Sequence, residues 1–169
     1  MFKKIFSAFI VIIMVISCKS SVLDANQFAK LADGEEAVDV ETVTLKKGTF
    51  GNTDIEAQNV VIRNYDDFER LWQELYSGRA PMPEMPVIDF ESEMVVAAFI
   101  GQKPHGGYTV EISDMILSEE LAVKVITTKP GDSCMVTMAI SAPYHLVKIP
   151  KVESPVKFYE VTEVNNCSE

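Results

Sequence analysis

The apolar residues between positions 66 and 78 repeat with the period of an α-helix. They fall at positions i, i+3, i+4 and i+7, and they are Phe68, Leu71, Trp72 and Leu75. This spacing puts all four on one stripe of a helix. Asp66 and Glu69 have the spacing of a capping box, and Gly78 supplies a stop. The pattern predicts one amphipathic helix in which Trp72 packs into the core and does not stack on a ligand.

Most of the remaining chain favours β-strands. Short apolar and β-branched runs alternate with turn residues, and they cover 41–45, 57–63, 95–100, 108–113, 121–128, 135–141, 145–149 and 156–164. Residues 95–100 are apolar on both faces, which is typical of a central strand. The turn-rich residues 48–54 predict a hairpin between the first two strands. We expect an α+β protein with a largely antiparallel β-sheet or sandwich and one amphipathic helix packed on it.

The N-terminus has the pattern of a bacterial export signal. Lys3 and Lys4 precede an apolar run that is short for a membrane-spanning helix, and the run ends in Val-Ile-Ser-Cys18. These four residues resemble a lipobox, in which the cysteine is acylated. We therefore expect a lipoprotein signal peptide over residues 1–17 and a lipid anchor, such as palmitate, on Cys18. An ordinary signal peptide or an uncleaved anchor is the alternative.

The chain after the signal divides into a tether and one domain. Residues 18–38 are small, polar and acidic without sustained periodicity, which predicts a flexible tether. Residues 39–169 are enough for a single β-rich domain. Lys19 follows the cysteine, and this resembles the sorting pattern that directs lipoproteins away from the inner membrane. We expect a lipid-anchored envelope protein of the outer membrane, on either its periplasmic or its surface face.

The chain is acidic. It has 15 Lys and Arg residues against 25 Asp and Glu residues, a formal net charge of −10, and removal of the signal would take away two more cations. Nucleic acids and anionic headgroups bind mainly through cationic side chains. We therefore expect no nucleic-acid partner.

Two cysteines remain besides Cys18. Cys134 and Cys167 would lie in an exported setting that permits disulfides, and a bridge between them would attach the C-terminal tail to the domain. Against a bridge, Cys167 stands close to the terminus, where chains are usually loose. The sequence leaves both states open, and neither cysteine has a neighbour at metal-ligand spacing.

Side chains for catalysis are few. The chain has two histidines, His105 and His145, and Ser133 and Ser141 are the nearest candidates for a nucleophile, but no G-x-S-x-G, H-E-x-x-H or C-x-x-C motif organises them. His145 precedes an apolar run and is expected at the surface end of a strand. We expect a protein that is not an enzyme, with no metal, no cofactor and no small-molecule substrate.

The segment QKPHGGY lies between two predicted strands. Its residues are Gln102, Lys103, Pro104, His105, Gly106, Gly107 and Tyr108. Adjacent glycines permit positive φ, and the proline fixes the entry of the chain, so the segment is predicted to form a shaped hairpin loop. Tyr108 shares a face with Val110 and Ile112, which favours its burial against the sheet.

Several ordered segments resemble the PrcB family of bacterial lipoproteins. They are VVAAFIGQKPHGGYTVEI, KPGDSCMVTMAISAPYHLVKIPK and PVKF, preceded by an F-x-x-L-W helix and the approach MPVIDF. The resemblance implies a non-catalytic, lipid-anchored partner protein, because the family is named for a subunit that accompanies and stabilises a subtilisin-like protease. The positions that match its motifs are Gly101, Gln102, Lys103, Pro104, Gly106, Gly107, Tyr108, Cys134, Pro143 and Tyr144. We interpret them as determinants of the fold or of an interface with a protein partner.

A second interpretation is an inhibitor. P-x-x-G-Y loops are similar to those of chagasin-like inhibitors of cysteine proteases, and here Pro104, Gly107 and Tyr108 match. Lys103 stands where that family has asparagine, and no later R-P-W/F loop is present. An inhibitor needs QKPHGGY to protrude with His105 or Tyr108 at its tip, whereas a structural loop buries the tyrosine.

Overall fold

The protein is a sandwich of two four-stranded sheets with a helix on each outer face. The computed structural model describes residues 25–32 and 37–167. Its elements are α1 (Ala25–Ala32), β1 (Val38–Asp39), β2 (Val43–Gly48), β3 (Gln58–Ile62), α2 (Tyr65–Leu75), β4 (Glu93–Phe99), β5 (Thr109–Leu117), β6 (Leu121–Pro130), β7 (Tyr144–Pro150) and β8 (Val156–Asn165). The predicted signal peptide and the predicted lipidation site, Cys18, lie outside the described residues.

The strand orders confirm the predicted α+β class. The first sheet has the order β1-β5-β6-β8 and the second the order β2-β7-β4-β3. Neighbouring strands are antiparallel except β6 and β8, which are parallel. Among the described elements, no helix is long and apolar enough to cross a membrane.

The central strand β4 contributes to two cores, as its sequence predicts. Met94 and Val96 face the first sheet and pack in the core between the sheets. Val95 and Ala97 face the opposite way and pack under α2. All four are fully buried. Alternation along a strand that is covered on both sides explains why its sequence is apolar throughout.

Helix α2 buries the predicted stripe. Phe68, Trp72 and Leu75 are buried, and Leu71 is partly buried at the edge of the same core. The N-cap is not the predicted Asp66, because the Asn64 side chain accepts the N–H of Asp67 at 2.9 Å. The Nε1–H of Trp72 donates to the carbonyl of Pro83 at 3.1 Å, so the proline-rich segment after the helix lies across it.

The segment predicted as a tether contains a second helix. Phe28 of α1 is buried against Ile116, Ala122 and Tyr159 on the outer face of the first sheet. Its ring lies 5.6 Å from that of Tyr159, edge to face. The prediction of a tether over all of residues 18–38 is therefore wrong for residues 25–32. The helix is short, and it is stabilised by packing on strands distant in sequence, which its own periodicity does not reveal.

Two predictions of local strand structure are also wrong. The first two strands do not form a hairpin, because β2 and β3 lie at opposite edges of the second sheet with β7 and β4 between them. Residues 135–141 do not form a strand, and Met135 and Met138 in this segment are 101% and 90% exposed. Apolar side chains that point into solvent give the same sequence pattern as a strand.

Candidate functional site

The segment QKPHGGY is not a hairpin loop. It joins β4, in the second sheet, to β5, in the first sheet. Both edges of β4 are occupied by β3 and β7. The following strand therefore cannot pair with β4, and residues 101–108 cross from one sheet to the other.

The crossing loop is held against residues 137–141. Lys103 N–H donates to the Ser141 carbonyl at 2.7 Å, and Ser141 N–H donates to the Lys103 carbonyl at 3.1 Å. Gly106 N–H donates to the Thr137 carbonyl at 2.9 Å, and the buried Ser141 hydroxyl donates to the His105 carbonyl at 2.8 Å. These four bonds unite two segments more than thirty residues apart into one structural unit, which we call the linked loops (residues 101–108 and 137–141).

The two glycines of the loop serve different purposes. Gly107 has φ +87°, a conformation that side chains with a Cβ rarely adopt. Gly106 is buried and does not have positive φ, but a Cβ there would overlap Oγ1 of Thr137. Gly107 is thus required by its backbone conformation, and Gly106 is required by the close approach of the two loops.

Substituting Gly106 with alanine should therefore destabilise the protein through a single contact. We expect the free energy of unfolding to fall by about 1–2 kcal/mol, the usual cost of overpacking. Adding Thr137→Ala should restore at least half of the loss, because Oγ1 is the atom in the way. Gly107→Ala is the matched control, since its cost comes from φ and from contact with Val136, neither of which Thr137→Ala relieves. Urea denaturation would be measured for the unchanged protein and for each glycine variant with and without Thr137→Ala. If Thr137→Ala did not restore the stability of Gly106→Ala, the proposed contact would be contradicted.

His105 and Tyr108 line a cleft beside the linked loops. The cleft has a volume of about 570 Å³, and its other walls include Lys129, Val136 and Val164. The two rings lie 5.2 Å apart, and Nδ1–H of His105 donates to the Gly106 carbonyl at 2.8 Å. Tyr108 is half-buried, where the sequence favoured burial. Gln102 and Pro104 are exposed, and Lys103 is half-buried with Nζ 6.0 Å from the Tyr108 ring.

The C-terminal tail closes one side of the cleft. Cys134 and Cys167 form a disulfide with their Cα atoms 5.3 Å apart. The Gly131 N–H donates to the Asn165 carbonyl at 2.9 Å, just before the bridge. The tail is therefore fixed beside the turn that follows β6.

The segment that carries Thr137 exposes apolar side chains next to this unit. Met135 and Met138 are almost entirely exposed, and Ile140 is 54% exposed. Methionine is flexible and polarizable, and it is frequent at surfaces that bind other proteins. We call Met135, Met138 and Ile140 the methionine face.

His145 is buried, which corrects the prediction that it lies at the surface. It is 3% exposed. Its Nδ1 accepts the Ile112 N–H at 2.9 Å, so Nε2 carries the proton and donates to Oγ1 of Thr44 at 3.0 Å. Burial, together with the Lys47 ammonium, lowers the pKa of His145 from 6.5 to about 4, while Glu111 opposes this shift. The neutral imidazole joins β7 of one sheet to β5 of the other.

The candidate catalytic side chains do not come together. Neither ring nitrogen of His145 contacts a serine, and the Ser141 hydroxyl is bonded to a backbone carbonyl. Pro143 and Tyr144, which match the family motifs, are buried next to His145. Within the described residues, no group of His, Cys, Asp and Glu side chains is placed to hold a metal ion.

The fold and the site define an α+β sandwich domain whose two sheets are joined by a pair of linked loops. Residues 94–150 match the family model described as PrcB C-terminal, so this part of the chain is similar to that family. The match runs from β4 to the end of β7 and includes both linked loops and the methionine face. No curated protein matches the chain, and no solved structure does.

Proposed function

We propose that this protein is a non-catalytic, lipid-anchored envelope subunit that binds a protein partner. The partner proposed is a protease complex, because residues 94–150 match the PrcB C-terminal family model and the sequence motifs resemble a family named for a protease-complex subunit.

The methionine face is the observation that carries this proposal. A monomeric domain seldom holds several large apolar side chains almost fully exposed on one short segment unless they contact something. The segment has a fixed position, because the linked loops and the disulfide anchor both of its ends. A fixed apolar surface loses little conformational entropy on binding, which favours affinity.

The anchor and the location are proposed from the sequence. The lipobox-like residues end in Cys18, and acyl chains there would hold the domain at the outer membrane. The scarcity of catalytic side chains and the separate partners of the histidines and Ser141 support a role in assembly and not in catalysis. We propose no cofactor.

The inhibitor interpretation lacks support from the loop geometry. A chagasin-like loop would have to protrude, whereas residues 101–108 are bonded to residues 137–141 at three backbone positions. His105 and Tyr108 are half-buried and face each other. We therefore retain the assembly subunit as the proposed function.

A pull-down of the tagged full chain from its native membrane in mild detergent would test this function. We expect a protease to be captured with its activity retained, and Met135→Gln with Met138→Gln to weaken binding about a hundredfold or more, since burial of each methionine contributes about 1.5–3 kcal/mol. Val87→Gln is the matched control, because Val87 is 95% exposed elsewhere and should not matter. Loss of protease activity on capture would favour an inhibitor. Equal capture by all variants would exclude the methionine face.

A further inference from the structure

The outer edge of β8 has no strand beside it. β8 runs over ten residues, and β6 is its neighbour on one side in the first sheet. Within residues 25–32 and 37–167, nothing pairs with its other side. An unpaired edge leaves backbone donors and acceptors free to bind another extended chain.

Two hydrogen bonds show which residues of β8 point outward. Leu121 N–H donates to the Pro155 carbonyl at 2.8 Å, and Gly131 N–H donates to the Asn165 carbonyl at 2.9 Å. The register between them advances one residue at a time without a bulge. In a parallel ladder, alternate residues direct both backbone groups to the same neighbour. Odd-numbered residues of β8 therefore bond to β6. The outward N–H and C=O groups belong to the even-numbered residues Val156, Phe158, Glu160, Thr162 and Val164.

The other edges of the two sheets are short or irregular. β1 has two residues and β3 has five. β2 has a register irregularity between Thr44 and Lys46. Short strands, bulges and edge lysines are the devices by which proteins prevent edge pairing. β8 combines ten residues with a regular register and contains no proline, so it is the edge best suited to accept a strand.

The charges near this edge favour a basic occupant. Glu160 and Glu163 lie on β8 and are exposed, and Glu160 accepts a hydrogen bond from the neutral Asn59 amide at 2.6 Å, which leaves its negative charge uncompensated. The lysine of β8, Lys157, is already paired with Glu120 at 2.5 Å. The chain as a whole has a net charge of −10. A second copy would bring like charges together, whereas a segment with Lys or Arg would place opposite charges beside the two glutamates.

We infer that the outer edge of β8 accepts an extended, basic segment of a partner protein as an added strand. This inference rests on the proposed function and gives its mode of binding. Val164 near the end of β8 and Asn166 just after the strand line the cleft beside Tyr108. Strand addition gains affinity from backbone hydrogen bonds and specificity from pockets for single side chains. The cleft is the pocket that receives a side chain near one end of the added strand.

Peptides of defined sequence test this inference on the full chain in mild detergent. The probe is a fluorescent ten-residue peptide of alternating Lys and Val, and its controls are the same peptide N-methylated at alternate residues and an alternating Glu and Val peptide. We expect binding of the first peptide to be about tenfold or more tighter than that of either control, because N-methylation removes the donors on one edge and Glu reverses the charge. Equal affinity for the N-methylated peptide, or no binding of the Lys and Val peptide, would overturn the inference.

Two substitutions at one position provide the matched test on the protein. Thr162→Pro removes an outward N–H without removing a bond to β6, and we expect about a tenfold loss of peptide affinity. Thr162→Ala keeps the N–H and should bind within about twofold of the unchanged protein. Equal binding by the proline variant would contradict strand addition.

Amide exchange keeps the inference testable if the proline variant does not fold. In the unchanged protein, the amides of Phe158, Glu160, Thr162 and Val164 should exchange fast and become slow when the Lys and Val peptide is added. Unchanged exchange of these amides would overturn strand addition. If instead the peptide binds but no protease is captured from the membrane, the proposed function fails while the added strand stands, so the two failures are distinguishable.

Discussion

Replacing His145 with alanine should lower the free energy of unfolding by about 3 kcal/mol. The substitution leaves the buried Ile112 N–H without its acceptor and opens a cavity between the sheets. This loss is large because β1 pairs with β5 only at Ile116 and Leu117. No neighbouring strand in the described structure accepts the Ile112 N–H, and the imidazole takes that place. Urea denaturation at pH 7 would measure it.

Thr44→Val is the matched control for His145→Ala. It removes the hydroxyl that accepts from Nε2 but keeps the imidazole and its bond to Ile112. Thr44 is exposed, so the cost should be about 1 kcal/mol or less. Equal losses for the two variants would show that the Ile112 bond does not have the importance that we assign to it.

The same histidine should make stability depend on pH. Its pKa in the folded protein is about 4, below the unfolded value of 6.5. The unfolded chain therefore binds more protons between these values, and the free energy of unfolding falls as the pH falls through this window. The contribution is fully present above pH 6.5 and amounts to about 3 kcal/mol, of which about 2 kcal/mol should be lost between pH 7 and pH 5. Between pH 7 and pH 5, the free energy of unfolding of His145→Ala should fall by about 2 kcal/mol less than that of the unchanged protein. Parallel pH profiles of the two proteins would contradict the assignment of this pH dependence to His145.

The sequence predicts the elements whose signals are local. The stripe of α2 and the two apolar faces of β4 each depend on periodicity within a dozen residues, and the structure reproduces both. Helix α1 is not predicted because it depends on the contact between Phe28 and Tyr159, which are far apart in the sequence. The strand order is not predicted for the same reason. The sequence pattern of β2 and β3 is equally compatible with a hairpin and with opposite edges of one sheet.

The sequence singles out the candidate loop but predicts neither its contacts nor its shape. The glycines of QKPHGGY mark a loop with special backbone geometry, and Gly107 has the positive φ that such a residue permits. The partner of the loop is set by the bonds to Thr137 and Ser141, which the sequence places more than thirty residues away. The buried role of His145 also depends on a strand of the other sheet. A histidine before an apolar run is compatible with exposure or burial, and its acceptor bond to Ile112 decides between them.

The disulfide should be the other large contribution to stability. It closes a loop between residues that are 33 apart in sequence, for which the chain-entropy estimate is roughly 3–4 kcal/mol. The variant Cys134→Ser with Cys167→Ser should lose about this amount in urea denaturation, and the unchanged protein in excess reductant should match it. Reductant should have no effect on the double variant, which is the control.

Loss of the bridge should act first at the end of β8. The tail beyond Asn165 is attached by the disulfide and by the Gly131 bond, so its release should free the last residues of the parallel pair with β6. Amide exchange at Glu163 and Asn165, whose N–H groups bond to β6, should then accelerate more than exchange at Lys157, near the start of the strand. A stability loss below about 1 kcal/mol, with uniform exchange along β8, would mean that the strand is held by its pairing with β6 alone. The larger loss would instead make the oxidised bridge a condition for a complete β8 edge, because the outward groups of Thr162 and Val164 are positioned only while the strand end stays attached.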